Sequence, residues 1–108
     1  MPKFDPNKVS YEKLDRMFVD FCDTVCKLKG RGSVFNFLKD LFNRQERIMF
    51  IRRLMIARML LEDETYQSIQ HKLKVGSSTI SRVDRALNFG RGGYVKALKH
   101  WNVKYPYS

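Results

Sequence analysis

With 108 residues, 44% of them hydrophobic, the chain has the length of one domain and enough apolar content for one core without a metal or disulfide staple. Its formal net charge of +10 is unevenly placed: residues 1–64 carry 13 basic and 10 acidic groups, whereas residues 65–108 carry 8 basic and 1 acidic. No apolar run approaches the ~20 residues that span a bilayer, and the opening MPKFDPNKVS lacks the apolar centre of a signal peptide, so a cytoplasmic protein without a membrane partner is expected.

Residues 1–9 read as a flexible amino terminus. From Ser10 to Lys29 the spacing of Leu14, Met17, Phe18, Phe21, Val25 and Leu28 predicts a helix, stopped by Gly30-Arg31-Gly32. Ser33 is the expected cap of the next, VFNFLKDLF, whose Val34, Phe35, Phe37, Leu38, Leu41 and Phe42 cover more than one face. Asn43 is placed to cap a third helix reaching Leu61, with Ile48, Ile51, Leu54, Met55, Met59 and Leu60 inward and Arg52, Arg53 and Arg58 between them. Glu62-Asp63-Glu64 ends it.

Residues 65–89 then read as two helices about a Val75-Gly76 turn. Ile69, Leu73, Val75, Ile80, Val83 and Leu87 give each helix one inward stripe. Gly76 is the expected left-handed residue that ends the first helix, and Ser77 or Ser78 the expected cap of the second. The second helix then presents Ser77, Ser78, Thr79, Ser81, Arg82 and Arg85 outward. Short hydroxyls that approach base edges, with arginines that fork onto guanine or phosphate, suit a major groove. This is a helix-turn-helix, and the basic excess around it implies double-stranded DNA as the partner. Gly90-Arg91-Gly92-Gly93 breaks the reading helix, and Tyr94 to Trp101 forms a last one with Tyr94, Ala97, Leu98 and Trp101 inward. The fold class is therefore all-α with six helices in a single domain over residues 10–101, followed by a short tail at 102–108.

Cys22 and Cys26, four apart on one helix face, are poorly placed to bridge each other and are expected as core thiols. His71 and His100 have no spacing that suggests a metal. No glycine-rich phosphate loop, clustered carboxylates or nucleophile–base pair points to an enzyme. The first two helices are too apolar for one chain to hide, which implies a homodimer. Two reading helices would then stand about 34 Å apart, matching successive major grooves.

The run RMLLEDETYQSIQHKLKVGSSTISRVDRALNFGRGGY, Arg58 to Tyr94, with TISR at Thr79–Arg82 and the following ALNFG and GGY segments, resembles the Trp repressor superfamily. The likeness is nearest to its Trp repressor-like YerC/YecD branch and covers most of the chain. It implies an intertwined six-helix homodimer and a sequence-specific transcriptional regulator, a repressor by family habit. It places Tyr66, Gln67, Gln70, Ser77, Ser78, Thr79 and Ser81 at the DNA, with Lys72, Lys74, Arg82 and Arg85 on phosphates. By the same resemblance an effector would lie between Arg82 and either Arg53 or Arg52, near Asn43. The glycine that follows the reading-helix arginine in the tryptophan-binding protein is Val83 here, where an isopropyl group occupies the ring's space. DNA binding without a cofactor, or with an effector other than L-tryptophan, is therefore preferred. The alternatives are a non-specific nucleoid protein and the DNA-recognition module of a recombinase-type enzyme.

Overall fold

The structure is a computed structural model that describes residues 6–101. Among the described residues it contains six α-helices and no strand: α1 (Tyr11–Cys26), α2 (Gly30–Leu41), α3 (Arg44–Leu61), α4 (Tyr66–Leu73), α5 (Ser77–Phe89) and α6 (Gly93–Leu98). Pro6–Lys8 forms a 3-10 turn within the segment expected to be flexible. The rest of that expectation, residues 1–5, and the tail at 102–108 lie outside the described residues.

Two units are distinguished, one through Phe42 and one from Asn43. In the first, Ser10 Oγ accepts the Lys13 N–H at 3.2 Å and opens α1. The helix closes at Cys26, where the Lys27 N–H reaches the carbonyls of Asp23 and Thr24, three residues short of the expected end at Lys29. Gly30 takes φ +82°. That reversal lets the chain wind at once, so Ser33 lies inside the first turn of α2 and is not its cap. Phe18, Phe21 and Phe37 form a row of rings with centroids 5.8 and 6.2 Å apart. Neither helix contains a buried residue. Cys22 and Cys26 are accordingly exposed thiols, contrary to the expectation of core positions: two helices alone enclose no interior.

The second unit holds the core. Asn43 Oδ1 accepts the Glu46 N–H at 2.8 Å while Glu46 Oε1 accepts the Asn43 N–H at 2.9 Å, a reciprocal capping box at the start of α3. The carboxyl-terminal half of α3 contributes Met55, Ile56, Ala57 and Met59, which bury against Ile69 and Leu73 of α4, Ile80 and Val83 of α5, and Leu98 of α6. Ile48 and Ile51, expected inward, each remain 39% exposed, because α4, α5 and α6 cover only the later turns of α3. Ala97, also expected inward, is exposed on α6. Tyr94 and Trp101 pack against the core as expected. Arg58, within the α3 stripe, donates through Nη2 to the carbonyls of Leu98 and Trp101 and so fastens the end of α6. No helix among the described residues is long and apolar enough to cross a membrane.

Candidate nucleic-acid interface

Thr65 Oγ1 accepts the Ser68 N–H at 3.1 Å and opens α4. Leu73 is buried and Val75 packs against the same core, so the reversal of direction falls on the residue between them. Lys74 takes it, with φ 57° and ψ 45°, a left-handed conformation that costs an L-residue about 1–2 kcal/mol. Gly76, expected in that role, is instead extended at φ −80° and ψ 158°, and a Cβ there would meet only Ser78 Oγ at an ordinary contact distance of 4.0 Å. Ser77 and Ser78 lie within α5 and make no side-chain cap bond, so the expected cap is corrected to Gly76, whose backbone alone begins the helix.

Behind the turn, Ile69, Ile80 and Val83 are essentially sealed and Leu73 is nearly so. In front, Ser77, Ser78, Ser81, Arg82 and Arg85 of α5 are exposed, with Thr79 half-buried. On α4 and the turn, Gln67, Lys72 and Lys74 are exposed, and Gln70 and Tyr66 half-buried. The helix-turn-helix thus forms a head with an apolar back, and most of the residues expected at DNA are exposed on it.

Two polar links in this head had no signal in the sequence reading. Lys72 Nζ lies 2.7 Å from Glu64 Oε1, which also accepts from Ser68 Oγ at 2.8 Å. The Lys72 bond, more than that of Ser68, holds the Glu64 carboxyl below its ordinary value against the opposing effect of burial. Tyr66 donates its hydroxyl proton to Asp84 Oδ2 at 2.8 Å, tying α4 to α5, and Asn88 Nδ2 donates to Asp84 Oδ1 at 3.0 Å. Asp84 raises the Tyr66 phenol above its ordinary value, chiefly through this bond. Ser81, Asp84 and Asn88 share one stripe of α5 at helical spacing, but Tyr66 lies 18 positions from Asp84, beyond any local pattern.

The arginines of the expected effector site separate. Arg53 and Arg82 line one cleft of about 220 Å³ together with Met49, Ser78 and Thr79. Arg52 instead lines a cavity of about 480 Å³ with Lys72, Lys74 and an apolar floor of Ile48, Ile51, Met55 and Leu73. Asn43 lines neither, its carbonyl being engaged in the capping box. Val83, which follows Arg82, is 2% exposed and packs in the core behind α5. No group of His, Cys, Asp or Glu among the described residues is arranged to hold a metal ion.

The Trp repressor protein family matches residues 16–102. The uncharacterized protein YerC of Bacillus subtilis (strain 168) is 35% identical over 92 residues, 85% of each chain. Among solved structures, a TrpR-like protein from Eubacterium eligens ATCC 27750 superposes with a TM-score of 0.67 at 30% identity, covering 87% of this chain and 93% of that one. A second, from Staphylococcus aureus, gives the same TM-score at 28% identity, covering 94% and 98%.

Proposed function

The chain belongs to the Trp repressor family, a fold of DNA-binding regulators, and from that premise we propose that it is a sequence-specific transcriptional repressor acting in the cytoplasm as a homodimer. One observation carries the reading. The sealed apolar back formed by Ile69, Ile80 and Val83 fixes α5, while its front offers Ser77, Ser78, Ser81, Arg82 and Arg85 to solvent. Hydroxyls and guanidinium groups on a helix held from behind are the equipment of base and phosphate recognition. Gln67, Gln70, Thr79 and Tyr66 flank that front, and Lys72 and Lys74 supply cations for the backbone.

The homodimer is supported by the first unit. Leu14, Met17, Phe18, Val19 and Phe35 are each more than half exposed, a run of apolar surface that a second copy would cover. A dimer would also set two reading heads about 34 Å apart. The cleft between Arg53 and Arg82 is the effector subsite in this reading, with the chain binding DNA unliganded or in answer to an effector other than L-tryptophan; Asn43 and Arg52 lie outside it. The chemistry is binding, and no enzymatic step is assigned.

Selection from a random duplex pool at physiological salt tests the proposal. Enrichment of a palindrome with half-sites one helical turn apart is expected. Retention of DNA without enrichment would replace it with non-specific architectural binding, which the 8 basic groups against 1 acidic in residues 65–108 would suffice to support.

A further inference from the structure

The cavity of about 480 Å³ between α3 and the end of α4 is lined entirely from the second unit and belongs neither to the front of α5 nor to the Arg53–Arg82 cleft. Its floor is aliphatic: Met55 and Leu73 are buried, and Ile48 and Ile51 are partly covered. The rest of its lining is Arg52, Lys72 and Lys74, three cations and no carboxylate. Lys72 is paired with Glu64 at 2.7 Å, whereas no ion pair among the described residues engages Arg52 or Lys74. The volume falls within the roughly 300–1,000 Å³ of small-molecule sites, and apolar walls with a few polar groups are their usual lining.

Lys74 adds an independent observation. Its backbone is left-handed at φ 57°, a conformation that glycine adopts freely. A glycine would close α4 without the strain, yet the position carries a cation that lines the cavity. Backbone strain of this kind collects at ligand clamps.

We propose that this cavity is a second ligand site, which takes an aliphatic carboxylate and weakens DNA binding when filled. The charge of the lining calls for an anion, and the planar guanidinium of Arg52 suits a carboxylate, which it can hold by two parallel bonds. The floor offers no aromatic ring for a planar ligand to stack on, and its four side chains suit a hydrocarbon body. A DNA phosphate would meet the cations and leave that floor against water, so the whole lining fits an amphipathic molecule better than the duplex backbone. The coupling rests on the phosphate role given above to Lys72 and Lys74. A carboxylate held there neutralises charge that the duplex would otherwise meet, and linkage makes the opposition mutual.

Calorimetric titration of octanoate into the full chain without DNA tests the site, with octanol, octylamine and acetate as controls. Octanoate should bind with a Kd of about 1 mM or below, and each control at least about tenfold more weakly, having lost either the charge or the tail. Arg52→Gln and Lys74→Gly should each weaken octanoate by about fivefold, the worth of one charged hydrogen bond at an exposed rim. Lys74→Gly relieves the left-handed strain and keeps the test sound if Arg52→Gln does not fold. Octanol binding as well as octanoate, no octanoate binding, or titrations unchanged in both variants would overturn the site. The rival occupant is α1 of a second copy, which carries Glu12, Asp15, Asp20 and Asp23 among its apolar residues; an Arg52→Gln chain that sediments as a monomer where wild type is a dimer would give the cavity to that helix and overturn the proposal. Saturating octanoate should weaken duplex binding by the wild-type chain by about fivefold, an effect absent in Lys74→Gly; unchanged duplex affinity would overturn the coupling. A pool selection without any motif would instead defeat the sequence-specific reading and leave the calorimetric result standing.

Discussion

At the scale of single residues, the polar links of the reading head have measurable consequences. Glu64 is held below the ordinary carboxylate value of 4.5, first by the hydrogen bond from Lys72. A depressed folded-state value means that the stabilisation is complete above 4.5 and is lost as pH falls through the lower folded value. Glu64→Gln should therefore lower the urea midpoint slightly at neutral pH, with the difference from wild type disappearing as pH falls through the folded value, so that the acid limb of the curve is flatter. An identical acid limb would show that the pair contributes no pH-dependent stability. These pairings were illegible in the sequence for a simple reason. Glu64 and Lys72 are separated by the entry into α4, and Tyr66 and Asp84 by the turn, so neither falls at a spacing that one helix enforces. The Asn43 cap, by contrast, was legible because its partner Glu46 is three residues away in the same first turn.

Helices were the most readable level, since the 3.6-residue repeat of apolar positions is a property of the chain itself. Ile69, Leu73, Ile80 and Val83 all lie where that repeat put them. Their ends were less readable, because a turn is placed by what packs on either side of it. Glycine drew the left-handed assignment to position 76, yet burial of Leu73 and packing of Val75 put the reversal on Lys74. Lys74→Gly should accordingly stabilise the fold by about 1 kcal/mol in urea unfolding, while weakening binding to every duplex alike through the lost cation. Unchanged or lower stability would contradict the strain. Gly90 presents the opposite case. A Cβ there would stand 2.3 Å from the Ala86 carbonyl oxygen, so Gly90→Ala should lower stability by about 1–3 kcal/mol, on the scale of other forced overpacking. A neutral result would mean that the end of α5 relaxes freely.

For the whole molecule, the family fold was legible from the Arg58–Tyr94 run together with the helix count. What sequence periodicity could not provide was the division of labour between the two units. Among the described residues, every buried one lies in the second unit, and α1 and α2 have faces without an interior of their own. Those faces lead to a prediction on assembly: the chain should sediment as a dimer at micromolar concentration, and Phe18→Asp, which puts a charge into the exposed apolar run, should shift it towards monomer. A wild-type monomer would remove the dimeric reading. The proposed sequence-specific recognition is tested most directly by competition titration of the selected palindrome against random duplex at physiological salt. A preference of about a thousandfold or more is predicted, as specific DNA-binding proteins display; equal affinity for the two duplexes would contradict it.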